Sequence, residues 1–296
     1  MGRAENYLAV DSFTGKIVLE LDSERRVSAG GLTKIATAMV VLDWARLSAT
    51  SMAEFAVVPT SVAGRGGTNP MSMLPGDRIS LREAMYSMLL GGDDVAAYTL
   101  AEHAGRSIQT RSGGRSPVDS FVVEMNNLAR GLGMSATRFV SPEGSAVGGG
   151  GNRSTARDLA RLGIYAMRNA GFRFYVKQRQ RTVASFRGNR QRAFRVGNLH
   201  RLVGTGEING VINGGRVGTG DGVITSAERK PMVTKFPNGG TSVLTRRLLV
   251  VSLGNPNPWE VTKALVDQGE RAYDAWRQQG SPAREAREFL KVPEPK

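Results

Sequence analysis

The sequence predicts an α+β fold, with an antiparallel sheet built from both chain ends and a helical subregion inserted between them. Strand-like segments joined by turn residues come first, at residues 7–10 and 16–21. Helical segments then dominate up to residue 168, and strand-like segments return after residue 174 before a closing helix. Because the first and last strands must pair, we expect one domain rather than two independent ones.

Each element is predicted from its hydrophobic period and from the residues at its ends. Ser80 and Glu83 form a capping box, which predicts a helix ending at the glycine pair 91–92. Asp93 or Asp94 caps the next helix, expected through residue 101. The other predicted helices are 32–47, 120–131, 154–168 and 259–278, and the predicted strands are 7–10, 16–21, 55–58, 73–79, 181–186, 210–212, 222–227 and 247–253.

Composition and charge restrict the class of partner. The chain has 296 residues with 40% hydrophobic and 22% charged side chains, which is enough to bury a full core. A net charge of +14 predicts either a polyanionic neighbour, which could be nucleic acid, anionic lipid or an acidic cell-wall polymer, or simply a solvated basic surface. Basic and aromatic residues do not interleave as they do where bases are stacked, so nucleic acid is not expected.

The sequence gives no indication of a metal or a cofactor. Cysteine is absent, which excludes disulfides and thiolate metal sites. The two histidines, His103 and His200, have no ligand-type spacing, and we expect both to be structural.

The chain ends are predicted as follows. Residues 1–6 are too polar for a signal peptide, and no run reaches the ~18 apolar residues of a membrane span. The chain is therefore either cytoplasmic or the mature part of an exported protein. Residues 1–280 are predicted to form the domain, with a flexible glycine loop at 148–151, and residues 281–296 a basic, proline-containing tail.

Four stretches carry a family pattern. Residues 31–37, Gly-Leu-Thr-Lys-Ile-Ala-Thr, resemble S-L-T-K-I-x-T, and residues 75–90 resemble the approach to a second motif. Residues 132–160 contain close versions of L-G-M-x-x-T-x-F-x-x-P-x-G and S-T-A-x-D-L-A, and residues 213–218 stand where a K-T-G strand is expected. In this order the stretches resemble the D-alanyl-D-alanine carboxypeptidases of the penicillin-binding-protein family, over residues from about 5 to about 276.

The resemblance implies a β-lactamase/DD-peptidase-like fold and a reaction that proceeds through an acyl-enzyme. In this family the motif serine attacks the penultimate D-Ala carbonyl to form an acyl-enzyme, and the motif lysine takes its proton. The S-x-N motif relays protons and binds the substrate amide, while the K-T-G strand pairs with the substrate and holds its terminal carboxylate. The implied ligand is a peptidoglycan stem peptide or another carboxylate-ended peptide, and the implied location is the cell envelope, periplasm or extracellular space.

The catalytic positions of that pattern are altered here. Gly31 stands at the nucleophile position, whereas Lys34 is retained. The S-x-N position begins with Gly92 and ends with Asp94, so a hydroxyl is lost and an amide becomes a carboxylate. Because a nearby carboxylate favours an ammonium, we expect Lys34 and Asp94 to form an ion pair in place of the catalytic hydrogen-bond network.

The substrate-binding position of the pattern keeps a cation. The K-T-G strand reads Arg216, Val217 and Gly218, and a guanidinium suits the terminal carboxylate of a peptide. The small residues Gly31 and Gly92 are expected to leave room in the cleft.

Two hypotheses about function follow from these motifs. The first is a pseudoenzyme that binds stem peptides or a protein partner without hydrolysis. The second is a working serine-type D-Ala-D-Ala carboxypeptidase, either with an unorthodox nucleophile or with its nucleophile replaced by engineering. Ser28 has no lysine three residues later, and Thr33 points to a different helix face from Lys34, so neither is a good substitute.

Overall fold

The computed structural model describes residues 6–112, 116–144, 151–217, 220–236, 239–283 and 285–294. The predicted α+β class is confirmed. The helices are α1 Lys34–Leu47, α2 Leu81–Gly91, α3 Asp94–Ser112, α4 Pro117–Gly131, α5 Ala156–Arg168, α6 Ala170–Val176 and α7 Pro258–Gln278. The strands are β1 Asn6–Asp11, β2 Ile17–Leu21, β3 Val27–Ser28, β4 Phe55–Val57, β5 Arg78–Ser80, β6 Arg153–Ser154, β7 Gln180–Arg187, β8 Arg190–Gly197, β9 Ile208–Val217, β10 Gly220–Lys235 and β11 Thr241–Asn255.

The main sheet joins the two ends of the chain. Its five strands follow the order β2-β1-β11-β10-β9, and β1 pairs antiparallel with β11, with Tyr7 opposite Ser252. The predicted pairing of the first and last strands is therefore confirmed. The order leaves β9 at one edge, where its backbone is available to a neighbouring element.

Helix α1 runs through the middle of the core. It is buried around most of its circumference, and Ile35, Met39 and Val41 are inaccessible to solvent. A helix that is apolar on every side requires packing on every side. This packing holds the first turn of α1, and the 3₁₀ turn Gly30–Thr33 just before it lies beside β9. None of the helices within the described ranges is both long and apolar enough to cross a lipid bilayer.

The caps predicted at Ser80 and Asp93 are confirmed, but the Glu83 carboxylate, instead of completing a capping box, accepts from the N–H of Ala184 at 3.1 Å. The Ser80 hydroxyl accepts a hydrogen bond from the backbone N–H of Glu83 at 3.2 Å, and α2 ends at Gly92 in the left-handed conformation. Asp93 caps α3 by accepting from the N–H of Ala96 at 2.9 Å. Helix α3 was expected to end near residue 101 but continues to Ser112.

A second sheet flanks the helical region in the order β4-β5-β7-β8. The predicted small hairpin is present, although its second strand begins at Arg78 rather than at residue 73. Asp77 explains the difference, because its carboxylate accepts from the N–H of Leu74 at 2.9 Å and fixes a turn there.

The described residues of the C-terminal segment pack on the domain. The N–H of Leu290 donates to the carbonyl of Gly15 at 2.7 Å, and the Leu290 side chain is buried. Arg168 of α5 donates to the carbonyl of Val292 at 2.9 Å. The domain boundary at residue 280 remains a prediction, but the segment does not extend freely into solvent. Residues 148–150 of the predicted glycine loop lie outside the described residues.

Candidate functional site

Lys34 lies at the centre of the candidate site, as the first residue of α1. A 3₁₀ turn, Gly30–Thr33, precedes it and directs its side chain inward. The Lys34 ammonium contacts the Asp94 carboxylate at 2.6 Å and donates a hydrogen bond to the Glu143 carbonyl at 2.9 Å. The predicted ion pair is therefore confirmed. Two acceptors thus fix the position of the Lys34 side-chain nitrogen.

Asp94 connects the ion pair to the loop that precedes β5. Its second carboxylate oxygen accepts from the backbone N–H of Thr68 at 2.7 Å, and its own N–H donates to the Thr68 carbonyl at 2.8 Å. The Asp94 side chain is 19% exposed and that of Lys34 only 5%. One carboxylate thus joins the starts of α1 and α3 to this loop.

Arg65 extends the same loop across the cleft. Its guanidinium stacks on the ring of Tyr98 in α3 at 4.3 Å, and it lies 3.6 Å from the carboxylate of Glu143. A cation over an aromatic face is stabilised electrostatically, and the buried Glu143 adds a charge partner. The loop therefore covers the Lys34–Asp94 pair.

Position 31 is closed by the backbone of strand β9. A Cβ atom on Gly31 would lie 2.9 Å from the Gly214 carbonyl oxygen and 3.3 Å from its carbonyl carbon. Gly214 has the same restriction, because a Cβ there would lie 2.5 Å from Cγ of Leu32. The expectation that Gly31 leaves room in the cleft is therefore wrong. The strand has packed into the space where a nucleophilic side chain would begin.

At Gly92 the backbone conformation is more restrictive than the surrounding space. Its φ of 68° is left-handed, which favours glycine and ends α2. A Cβ at this position would lie 3.0 Å from Cδ1 of Leu199 and, among the described residues, within 4 Å of nothing else outside its own chain neighbours. Leu199 is 46% exposed and this contact is with the end of its side chain, so the space at Gly92 is narrowed rather than closed.

Asp93 is a buried carboxylate beside the ion pair that the sequence identified only as a possible cap. Its oxygens accept from the Ser87 hydroxyl at 2.6 Å and from the N–H of Ala96. Burial raises the pKa of Asp93 to about 6, and the charge of Asp94 adds to that rise. Hydrogen bonds from Ser87 and Ala96 partly oppose the shift.

The third motif lies on the last part of β9. The backbone of Arg216 pairs with Asp221 of β10, and that of Val217 pairs with Gly220. The side chains of Arg216 and Val217 and the whole of Gly218 lie outside the described residues.

The two alternative nucleophiles and the two histidines make contacts outside the Lys34–Asp94 pair. The Thr33 hydroxyl is buried and accepts from the Asn152 amide at 2.9 Å, which uses it structurally. Ser28 lies in β3, before the turn, and its hydroxyl accepts from the N–H of Gly30. His200 is buried against Thr225, and burial lowers its pKa to about 4. His103 lies on α3, 3.2 Å from Glu54.

Sequence reasoning missed Thr68, Arg65 and Glu143 as parts of this site. Thr68 and Glu143 contribute backbone atoms to it, and a backbone contact leaves no residue-type signal. Glu143 does fall inside the P-x-G stretch already singled out at residues 142–144. Its place in that motif was the sequence signal that could have identified Glu143 as part of the site.

Comparison with known proteins shows which family the chain resembles. Residues 2–234 match the family described as D-alanyl-D-alanine carboxypeptidase. A D-alanyl-D-alanine carboxypeptidase of a Streptomyces species is 31% identical over 59% of this chain and 58% of its own length. A D-alanyl-D-alanine endopeptidase of Pseudomonas aeruginosa is 36% identical over 52% of this chain and 44% of its own length. The chain thus aligns with about half the length of these relatives.

A solved structure gives the same result at the level of the fold. The DD-transpeptidase of Streptomyces strain K15 superimposes with a TM-score of 0.74 and 25% identity. The match covers 92% of this chain and 97% of that one.

Removal of the Asp94 carboxylate is expected to destabilise the protein. Asp94→Ala strands the buried Lys34 ammonium, so the free energy of unfolding should fall by roughly 3 kcal/mol or more. Urea unfolding measures this. Asp119→Ala is the control, because Asp119 is also an acid in a first helical turn but is exposed. Adding Lys34→Met to Asp94→Ala should restore part of the loss; a change no larger than the control's would refute the structural role of the pair.

The buried Asp93 predicts a distinctive pH dependence of stability. Its folded pKa of about 6 lies above its ordinary value of 3.8, so the folded state takes up a proton more readily than the unfolded state does. The contribution of Asp93 to the free energy of unfolding is fully present below pH 3.8 and is lost as the pH rises through about 6.

The matched comparison is Asp93→Asn. Relative to this variant, the natural protein should gain on the order of 2 kcal/mol of unfolding free energy between pH 7 and pH 4.5. Denaturant unfolding at several pH values provides the measurement. A difference between the two proteins that does not change with pH, or that falls at low pH, contradicts the assignment.

Proposed function

We propose that this chain, which belongs to the D-alanyl-D-alanine carboxypeptidase family, is a non-catalytic member that binds carboxylate-ended peptides of peptidoglycan. One observation carries the proposal. The Gly214 carbonyl lies 2.9 Å from where a Cβ at position 31 would be, so the nucleophile position lacks both a reactive group and space for one. Acyl transfer requires a nucleophile aligned with its base, and the retained Lys34 is bound to Asp94 instead.

The proposed binding surface is the last part of strand β9. As an edge strand it offers backbone N–H and C=O groups to an extended peptide. Arg216 lies on this part of the strand, and its guanidinium suits a terminal carboxylate. Nearer the cleft floor the strand is less available, because the N–H of Gly215 already donates to the Asn213 side chain.

The proposed setting is the cell envelope, where such peptides are found. The net charge of +14 supports this by attracting anionic wall polymers, and it makes association sensitive to salt. Charge alone gives no specificity, so the peptide contact at β9 must supply it.

A direct prediction concerns Gly31→Ser. The new Cβ cannot be placed without moving the Gly214 backbone, so we expect a loss of roughly 1–3 kcal/mol of stability. Release of D-Ala from a D-Ala-D-Ala peptide should stay at background, because Gly92, Asp94 and Val217 remain and site residues act as a unit. Gly131→Ser is the control, since nothing lies within 4 Å of a Cβ there. Equal stability of the two variants together with D-Ala release from Gly31→Ser would refute the prediction.

The binding proposal is tested by NMR titration with a stem peptide that ends in D-Ala-D-Ala. We expect weak, saturable shifts at millimolar peptide, no D-Ala release, and at least fivefold weaker binding by Arg216→Ala. Arg190→Ala removes an exposed arginine from the other sheet and should bind as the natural protein does. Absence of shifts at millimolar peptide, or equal binding by Arg216→Ala, rejects the peptide site, and turnover by the unmodified chain rejects the non-catalytic assignment.

A further inference from the structure

Strands β10 and β11 continue well beyond the main sheet. Pairing of β10 with β9 ends at Ala227, and pairing of β11 with β1 ends at Leu248. The next residues, Glu228 and Arg247, still make backbone hydrogen bonds to Glu207 and Ser12. Further out, among the described residues, the two strands pair only with each other, as far as Lys235 opposite Thr241. At about 3.3 Å per residue, this two-stranded arm, residues 230–236 and 239–245, extends roughly 25 Å.

The outer part of the arm exposes apolar side chains on both faces. Val233 and Val243 are directly paired and are 56% and 60% exposed. Met232 lies on the opposite face, paired with Leu244, and is 43% exposed, and Phe236 near the end is 49% exposed. Single exposed apolar residues are common, but such a cluster at the end of a projecting element marks an interaction site.

The arm is also positively charged. The sequence from 229 to 247 contains no acidic residue. Lys230 and Lys235 are exposed, and neither forms an ion pair with any described residue. At the base of the arm, Arg229 is neutralised by Asp274 of α7 at 3.0 Å. Uncompensated positive charge therefore lies in the outer part, beside the apolar side chains.

From this combination we propose that the arm docks on an anionic lipid bilayer, with its end inserted at the interface. Lipid surrounds an inserted end on every side, which matches apolar side chains on both faces. A folded protein docked on one face would leave the other exposed. The lysine stems can lie along the apolar region while their ammonium groups reach anionic headgroups.

The bilayer explains the observations better than a soluble polyanion does. A polyanion needs only the positive charge and leaves Val233, Val243 and Phe236 without a role. The arm also lies at the opposite end of β10 from Gly220, where the strand meets the last part of β9. Bilayer docking is therefore independent of peptide binding, and each proposal can fail without the other.

The test is co-sedimentation of the full chain with vesicles. We expect at least tenfold tighter binding to phosphatidylcholine vesicles containing 30% phosphatidylglycerol than to phosphatidylcholine alone. Val233→Thr/Phe236→Ser/Val243→Thr should weaken binding to the anionic vesicles at least tenfold, and so should Lys230→Glu/Lys235→Glu. The controls change comparably exposed residues elsewhere, and we expect them to bind as the natural protein does: Val57→Thr/Val123→Thr/Phe174→Ser and Lys263→Glu/Lys291→Glu.

Insertion itself has a separate readout, because the chain contains no cysteine. A single Val243→Cys variant labelled with an environment-sensitive fluorophore should shift to the blue on anionic vesicles. The same label on Val123→Cys, on helix α4, should not shift.

Three results would overturn the proposal. The first is equal binding by the arm variants and their controls, or no preference for anionic vesicles. The second is loss of binding in the lysine variant but not in the apolar variant, which indicates a polyanion site. The third is a dimer, seen by light scattering without vesicles, that the apolar variant abolishes, because the arm is then covered by a second copy.

Discussion

The close approach of strand β9 to the turn before α1 determines the character of the candidate site. Gly31 and Gly214 face each other, and neither position accommodates a Cβ without a shift of backbone or of Leu32. Two glycines therefore allow the edge of the main sheet to pack directly on the 3₁₀ turn that leads into a buried helix. Packing density in protein interiors is high, so a gap left by a missing side chain is filled where the backbone can fill it. Position 31 thus lacks a side chain and also lacks the space for one.

The ion pair of Lys34 and Asp94 gives the retained lysine a structural role. The same carboxylate binds the N–H of Thr68, so it fixes a loop as well as two helices. Arg65 of that loop then crosses to Tyr98 and Glu143. A buried charge without its partner is costly, which explains why these groups form one connected cluster. Burial raises the pKa of Asp93, immediately before Asp94, and the hydrogen bonds from Ser87 and Ala96 only partly oppose that rise.

The sequence predicted those features of the fold that depend on nearby residues. The caps at Ser80 and Asp93 are local hydrogen bonds, and α1 is a continuous apolar segment, so both were accessible from the chain alone. Strand β8 was missed because its pattern is arginine-rich and largely exposed, and its pairing with β7 supplies the missing signal. The outer part of β10 was missed for a similar reason, since only its partner β11 marks it as a strand.

Some features of the candidate site were likewise predictable from the sequence, and others were not. The Lys34–Asp94 contact was predictable because the family resemblance aligned both residues, whereas the closure at Gly31 was not. A glycine shows that a side chain is absent, but only the fold shows that Gly214, far along the chain, occupies the space.

The central claim is that the cleft forms no acyl-enzyme, and intact-mass spectrometry of the natural chain after incubation with benzylpenicillin tests it most directly. A serine-containing, penicillin-binding relative is the positive control. We expect the mass of this chain to stay unchanged while the relative gains one penicilloyl group. A stoichiometric penicilloyl adduct on this chain, mapped to any residue of the cleft, would contradict it.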